Sequence, residues 1–189
     1  TTNVLALKNK PAEEAELATE LLFGETFIVY ENLGQWAWGQ SQTDGYVGFA
    51  KFNGLSKDVI RATHEVGVLK TFVYKEPDIK SPVLRCLVMG SRVSIKEENE
   101  NFLGLKDAGW IVGRHLADNN NKELDFISVA RKYIGTPYLW GGRSSYGLDC
   151  SALVQISLSR IGILTPRDTD QQERNTGIFC GRDVQEANE

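Results

Sequence analysis

Histidine and cysteine are nearly missing from this chain. Its 189 residues include two histidines, His64 and His115, and three cysteines, Cys86, Cys150 and Cys180. No CxxC or HxxxH spacing occurs, so neither a metal site nor a cofactor is expected. An odd, low cysteine count is not a disulfide framework. It leans towards a reducing compartment, which slightly favours the cytoplasm over the periplasm or cell envelope. No apolar run reaches the length of a membrane span. The net charge is −4, which argues against nucleic acid or an anionic membrane as partner. The opening "TTNVLALKNKPAEEAELATE" has acids throughout and no sustained apolar core, so no signal peptide is visible. Met89 is the only methionine, so Thr1 is not an initiator residue and a removed leader stays open. What is present is a globular balance, 41% apolar and 24% charged, in a length that suits one ordinary domain or two to three small ones.

Residues 1 to about 118 read as all-β. Short runs such as "ETFIVYE", "QWAWGQS", "GYVGFAKF" and "RVSIKEE" are punctuated by glycine and Asn/Asp, a spacing that suits small barrels. The stretch also repeats itself. "LLFGETFIVYENLGQWAWGQ" aligns with "LVMGSRVSIKEENENFLGLK", setting Gly24 against Gly90, Phe27 against Val93 and Val29 against Ile95. "GFAKFNGL" then aligns with "GWIVGRHL", setting Phe49 against Trp110 and Leu55 against Leu116. The reading is two copies of one β-module, residues 1–60 and 61–118.

Helical periodicity follows, in a third unit covering 122–189. Leu124, Ile127, Ala130 and Ile134 recur at helical spacing, with Asn119 to Asn121 as N-cap candidates and Gly135 as the C-cap. "DCSALVQISLSRIG" predicts a second helix capped by Asp149 and ended by Gly162. "TPRDTDQQ" predicts a loop leading into a short helix.

Capping by Asp149 puts Cys150 in the first turn of that second helix. The unpaired N–H groups and positive dipole end favour a thiolate there, the form that attacks carbonyl carbon. The same N–H groups can receive an oxyanion. A buried structural cysteine at a helix start is the competing reading.

"GTPYLWGGRSSYGLDCSALVQ" followed by "GILTPRDTDQQ" resembles the NlpC/p60 family of bacterial cell-wall cysteine peptidases, over about 124 to 172. Ala152 stands where the family usually has glycine. The two β-modules resemble bacterial SH3-like domains, and "LLFGE" with "DGYVGF" is similar to the subgroup that cleaves murein peptides with a free N-terminal L-Ala. The resemblance implies an α+β, multidomain fold: two small SH3-like β-barrels, then the N-terminal helical half of a papain-like domain. It also implies hydrolysis of the γ-D-glutamyl–diamino acid bond of murein peptides through an acyl-enzyme. Cys150 matches the nucleophile and Tyr138 a candidate oxyanion donor. Trp140, Asp149 and Ser151 match pocket-lining positions, and Arg167, Asp168 and Thr169 match the loop that closes the pocket. Glu25 and Tyr46 match residues that hold the alanine ammonium, which needs carboxylate or phenol partners once desolvated. Cys86 reads as a packed core thiol, and Cys180 has no assigned role.

The base is what this reading lacks. The resemblance implies a histidine several tens of residues after the nucleophile, and no histidine follows Cys150. The expectation is that the 189-residue chain cannot turn over unless a missing C-terminal segment or a second polypeptide supplies one. The alternative is a catalytically inactive module that binds cell-wall peptide through the paired β-domains.

Overall fold

A computed structural model describes residues 3–59, 61–118 and 125–178. The first module has five strands: β1 (Val4–Lys8), β2 (Leu17–Leu22), β3 (Phe27–Leu33), β4 (Trp36–Ser41) and β5 (Val47–Lys51). They form an antiparallel sheet in the order β2-β1-β5-β4-β3, and a 3-10 turn at Phe52–Gly54 follows. Leu7, Leu21 and Ala50 are its core, with Phe27, Tyr46 and Leu55 packed against them.

The second module runs through β6 (His64–Val66), β7 (Lys70–Tyr74), β8 (Val83–Val88), β9 (Arg92–Val93), β10 (Ile95–Asn99), β11 (Phe102–Leu105), β12 (Trp110–Val112) and β13 (Leu116–Asp118). Its main sheet, β8-β7-β12-β11-β10, repeats the first module's strand order, and β13-β6-β9 adds a second sheet. The copies agree in detail. Gly24 and Gly90 both turn the chain with positive φ, 80° and 85°. Leu55 and Leu116 both close a 3-10 turn, each donating its N–H to the carbonyl three residues back. The modules meet tightly, with the Arg92 N–H bonded to the Phe23 carbonyl at 2.8 Å. A Cβ on Gly24 would run into the Arg92 carbonyl, so only glycine fits that seam.

The third unit contains α1 (Phe126–Lys132), a short hairpin of β14 (Arg143–Ser144) and β15 (Gly147–Leu148), α2 (Cys150–Arg160) and α3 (Thr169–Asn175). α1 differs from the sequence expectation. Asp125 caps it, accepting from the N–H groups of Ile127 and Ser128, whereas the asparagine cluster and Leu124 lie outside the described residues. The buried stripe is Val129 and Tyr133, packed with Met89, Leu148, Ala152 and Ile156. Ile127 and Ile134 stay exposed. The helix ends at Lys132, so Ile134 falls in the turn beyond it and cannot continue a helical face.

Met89 belongs to the second module, so that module completes the helical core. The hairpin tip docks on the same module: Ser145 Oγ donates to the Leu69 carbonyl at 2.7 Å, and Lys70 Nζ sits 4.3 Å from the Tyr146 ring centre. Cys86 is half-buried rather than core, because it lies under this tip. Its hydrogen bond to Tyr146, then burial, pushes that phenol up to about 12. Cys180 lies outside the described residues. The whole is an α+β, multidomain molecule.

Candidate active site

Cys150 opens α2, and its side chain is exposed. The preceding segment is tied down strand by strand. The Leu148 N–H donates to the Pro137 carbonyl, Leu139 N–H to Leu148 and Asp149 N–H to Gly142, each at 3.2 Å. Thr169, the first residue of α3, brings its Oγ1 to 3.7 Å from the Cys150 sulfur. The "DCS" turn and the "PRDT" loop therefore meet at the thiol.

Asp149 caps α2 by accepting from the Ala152 N–H at 2.8 Å, and also accepts from the Gly141 N–H at 3.0 Å. Beneath the cap, Arg167 donates to both carboxylate oxygens, at 3.0 and 2.7 Å. It also reaches Ser151 Oγ at 2.7 Å and Thr19 Oγ1 of the first module at 2.9 Å. The Arg167 side chain is 2% exposed and that of Asp149 9%. Burial pushes the Asp149 carboxyl up, but the Arg167 and Ala152 hydrogen bonds outweigh it and hold the group below its usual range. Arg167, Asp149 and Ser151 thus form a buried lock that fixes the start of α2, and their polar atoms are turned to one another.

Tyr46 and Asp168 stand next to this lock. Burial, and then the charge of the nearby Asp168 carboxylate, raise the Tyr46 phenol. Asp168 occupies the N-cap of α3 yet makes no side-chain cap bond, so its carboxylate is turned to other partners. Asp44, two residues before Tyr46, accepts from Gln155 Nε2 on α2 at 3.2 Å. The loop between β4 and β5 is thereby laid against the thiol-bearing helix.

Glu25 requires a correction. Its carboxylate accepts from both terminal nitrogens of Arg143, at 3.0 and 2.5 Å, from the Leu22 N–H at 2.8 Å and from Thr43 Oγ1 at 3.0 Å. Its side chain is 2% exposed. Burial opposes its ionisation, but the Arg143 charge and hydrogen bonds prevail and lower its pKa. A carboxylate so enclosed and so fully bonded is a structural ion pair, and no surface is left for an incoming ammonium. Glu20 stands beside it, accepting the Arg143 N–H at 2.7 Å, and burial raises its pKa.

Tyr138 and Trp140 are both exposed. The Trp140 indole donates to Glu16 Oε1 of the first module at 2.7 Å. Tyr138 pairs through its backbone with Leu148, two residues before the thiol. The residues that sequence reasoning passed over are Glu16, Thr19, Glu20, Asp44, Arg143 and Gln155. All act across the seam between the first module and the third unit, over separations of 111 to 148 residues, where local spacing carries no signal.

The two histidines sit in the second module. Nδ1 of His115 bonds Thr71 Oγ1 at 2.8 Å, and Nδ1 of His64 bonds Thr63 Oγ1 at 3.0 Å. Burial, then Arg114, lowers the His115 pKa. Among the described residues neither histidine bonds Cys150, and no group of three or more His, Cys, Asp or Glu could hold a metal ion. No described helix is long and apolar enough to cross a membrane.

Comparison with known proteins adds to this geometry. Residues 7–52 match the bacterial dipeptidyl-peptidase Sh3 domain, and residues 135–187 match the NlpC/P60 family. Dipeptidyl-peptidase 6 of Lysinibacillus sphaericus is 26% identical over 183 residues, covering 84% of this chain and 67% of that protein. Gamma-D-glutamyl-L-lysine dipeptidyl-peptidase of Bacillus subtilis is 28% identical over 186 residues, covering 86% of this chain and 60% of that protein. The chain thus spans about three fifths to two thirds of the length of these relatives. A crystal structure of an NlpC/P60 family protein from Bacillus cereus superposes with a TM-score of 0.79 at 19% identity, over 92% of this chain and 75% of that one.

Proposed function

We propose a function from one premise: the chain joins a bacterial SH3 domain to an NlpC/P60 family domain. It is a cysteine peptidase of cell-wall peptides, and it hydrolyses the γ-D-glutamyl–diamino acid bond of murein peptides with a free N-terminal L-Ala. The observation that carries this reading is the position of Cys150. It is an exposed thiol at a helix start whose cap is locked by a buried arginine, with Thr169 at 3.7 Å and Asp168, beside Tyr46, one residue before Thr169.

In the reaction, the Cys150 sulfur adds to the γ-glutamyl carbonyl carbon and the carbonyl oxygen takes the negative charge. The Tyr138 phenol and the N–H groups at the start of α2 donate to that oxygen. Collapse breaks the C–N bond, the diamino acid leaves with a proton on its amine, and water then cleaves the thioester. Asp168 and Tyr46 receive the alanine ammonium, while Trp140 and Thr169 border the cleft. Asp149, Ser151 and Arg167 serve it from below by fixing the thiol. An ammonium bound against the first module makes a free N-terminus the criterion for entry, since an acylated nitrogen has no charge to offer Asp168.

A general base is not among these contacts, as both histidines are engaged in the second module. The described residues therefore bind the peptide and present the thiol, with neither His64 nor His115 at the sulfur. Purified 189-residue chain should show no multiple-turnover release of diaminopimelate from L-Ala-γ-D-Glu-diaminopimelate. Sustained release that disappears in Cys150→Ala would refute this. The remote histidines also favour the reading of a pure binding module. In that case residues 1–118 would bind the peptide as tightly as the full chain, whereas the present reading needs Asp168 for affinity.

A further inference from the structure

We propose that the seam between the two β-modules holds a binding site for a small apolar carboxylate, in a cavity of about 360 Å³. Leu5, Leu22, Phe27 and Leu55 line it from the first module and Val93 from the second. Cys150, Asp149, Tyr46, Asp168 and Thr169 are not among its lining residues, so it stands apart from the thiol. Phe27 and Val93 hold equivalent positions in the two copies, and the space lies between these like elements of the repeat. Its walls are joined by the Arg92 to Phe23 backbone bond and by the close approach at Gly24, so they are in place before a ligand arrives.

Two polar groups on the second-module side are incompletely partnered. Ser94 lines the cavity and is 2% exposed, and among the described residues its hydroxyl has no hydrogen-bond partner. A buried hydroxyl left in that state costs stability unless something in the cavity completes it. Its equivalent in the first copy, Ile28, is exposed, so the repeat itself does not call for a buried polar group here. Arg92 is the second group. Its Nε lies 3.4 Å from one oxygen of Glu65, whose other oxygen accepts from Arg160 at 2.8 Å. One carboxylate thus serves two guanidiniums, and Arg92 holds the longer and weaker contact. The other charges on the wall are engaged elsewhere or face solvent. Arg85 pairs with Asp107 at 2.7 Å and stands over the Phe23 ring. Glu25 feels the Arg92 charge but is closed by Arg143, and Asp58 is exposed.

A guanidinium with charge to spare, a hydroxyl able to donate and apolar walls complement a carboxylate on an aliphatic chain. The head accepts from Arg92 and Ser94, and the tail displaces water from the leucine and phenylalanine side chains. The cavity is at the small end for a ligand site, which suits a chain of medium length. The test is titration of the full chain with decanoate, below its micelle concentration, followed by the backbone amide resonances of Phe23, Arg92 and Ser94. Decanol is the uncharged comparison. The expected result is saturable shifts strongest at the seam, with decanoate bound at least about tenfold more tightly than decanol, the scale of hydrogen bonds to a charged group. Arg92→Gln should erase that preference and leave decanol binding in place, whereas a merely loosened seam would weaken both. Ser94→Ala should weaken decanoate binding roughly fivefold. Ala62→Trp, at a half-buried lining position, should block both ligands. Cys150→Ala should bind decanoate unchanged, so failure here leaves the peptidase reading untouched, and the reverse also holds. Absence of saturable shifts overturns the proposal. So do equal affinities for decanoate and decanol, shifts centred on α2 instead of the seam, or binding that survives Ala62→Trp.

Discussion

At the scale of single residues, Asp149 does the most to fix the start of α2. It caps α2, and its charge is balanced by Arg167 in a place that water barely reaches. Removing one partner of a buried pair leaves the other charge uncompensated, so Asp149→Ala should cost about 3–5 kcal/mol in denaturant unfolding. The pH dependence follows from the signs. Asp149 and Glu25 both have folded-state pKa values below their unfolded ones. Their contribution to stability is present above the unfolded carboxylate pKa and is lost as pH falls through the lowered values. Glu20, raised by burial, has the opposite sign: its contribution is present at low pH and is lost as pH rises through its raised pKa. Asp149 and Glu25 each hold a buried arginine that loses its counter-charge on their protonation, and this loss sets the sign. The melting temperature should therefore fall below pH 4 or so, and less steeply in Asp149→Ala. An acid limb as steep in the variant as in the parent would remove Asp149 from this account. The cap role of Asp149 was legible in the sequence, because capping is a local rule. The role of Glu25 was not. Its partner Arg143 lies 118 residues away, and a lone glutamate in a turn looks the same whether it awaits a ligand or an arginine.

At the scale of elements, the strands and the duplication were readable because both rest on patterns within one stretch of chain. Gly24 and Gly90, aligned by sequence, make the same left-handed turn. α1 was placed correctly but faced wrongly. Its apolar residues offer two stripes, and the choice of Val129 and Tyr133 is made by Met89 arriving from another module. The hairpin of β14 and β15 depends on a similar long-range partner, since Arg143 is held by Glu25 and by the Glu20 carbonyl. Arg143→Ala should leave Glu25 buried and unpaired. Amide exchange in residues 141–149 should then accelerate by at least tenfold relative to the second module's β7 and β8, as measured by mass spectrometry. Uniform acceleration across the chain would mean that the pair supports global stability and does not anchor the hairpin in particular.

At the scale of the whole molecule, the third unit is held on two sides. Arg167 to Thr19, Gln155 to Asp44 and Trp140 to Glu16 tie it to the first module. Arg160 to Glu65 at 2.8 Å, Ser145 to Leu69 and the Met89 contact tie it to the second. The first module thus stands against the unit that carries the thiol, the arrangement that the proposed recognition of a free N-terminus requires. That arrangement could not be read from residue spacing, as every bond in it crosses between units. The most direct test avoids the missing base altogether. A peptide aldehyde, L-Ala-γ-D-glutamyl aldehyde, adds reversibly to a thiol, forming the S–C bond while the thiol proton passes to the new oxygen. Its dissociation constant should rise at least about tenfold, or ~1.4 kcal/mol, on N-acetylation of the alanine. That discrimination should shrink in Asp168→Asn and Tyr46→Phe, and Cys150→Ala should lose aldehyde-dependent binding. Equal affinity for the free and acetylated aldehydes, or aldehyde-dependent binding that survives Cys150→Ala, would contradict the account.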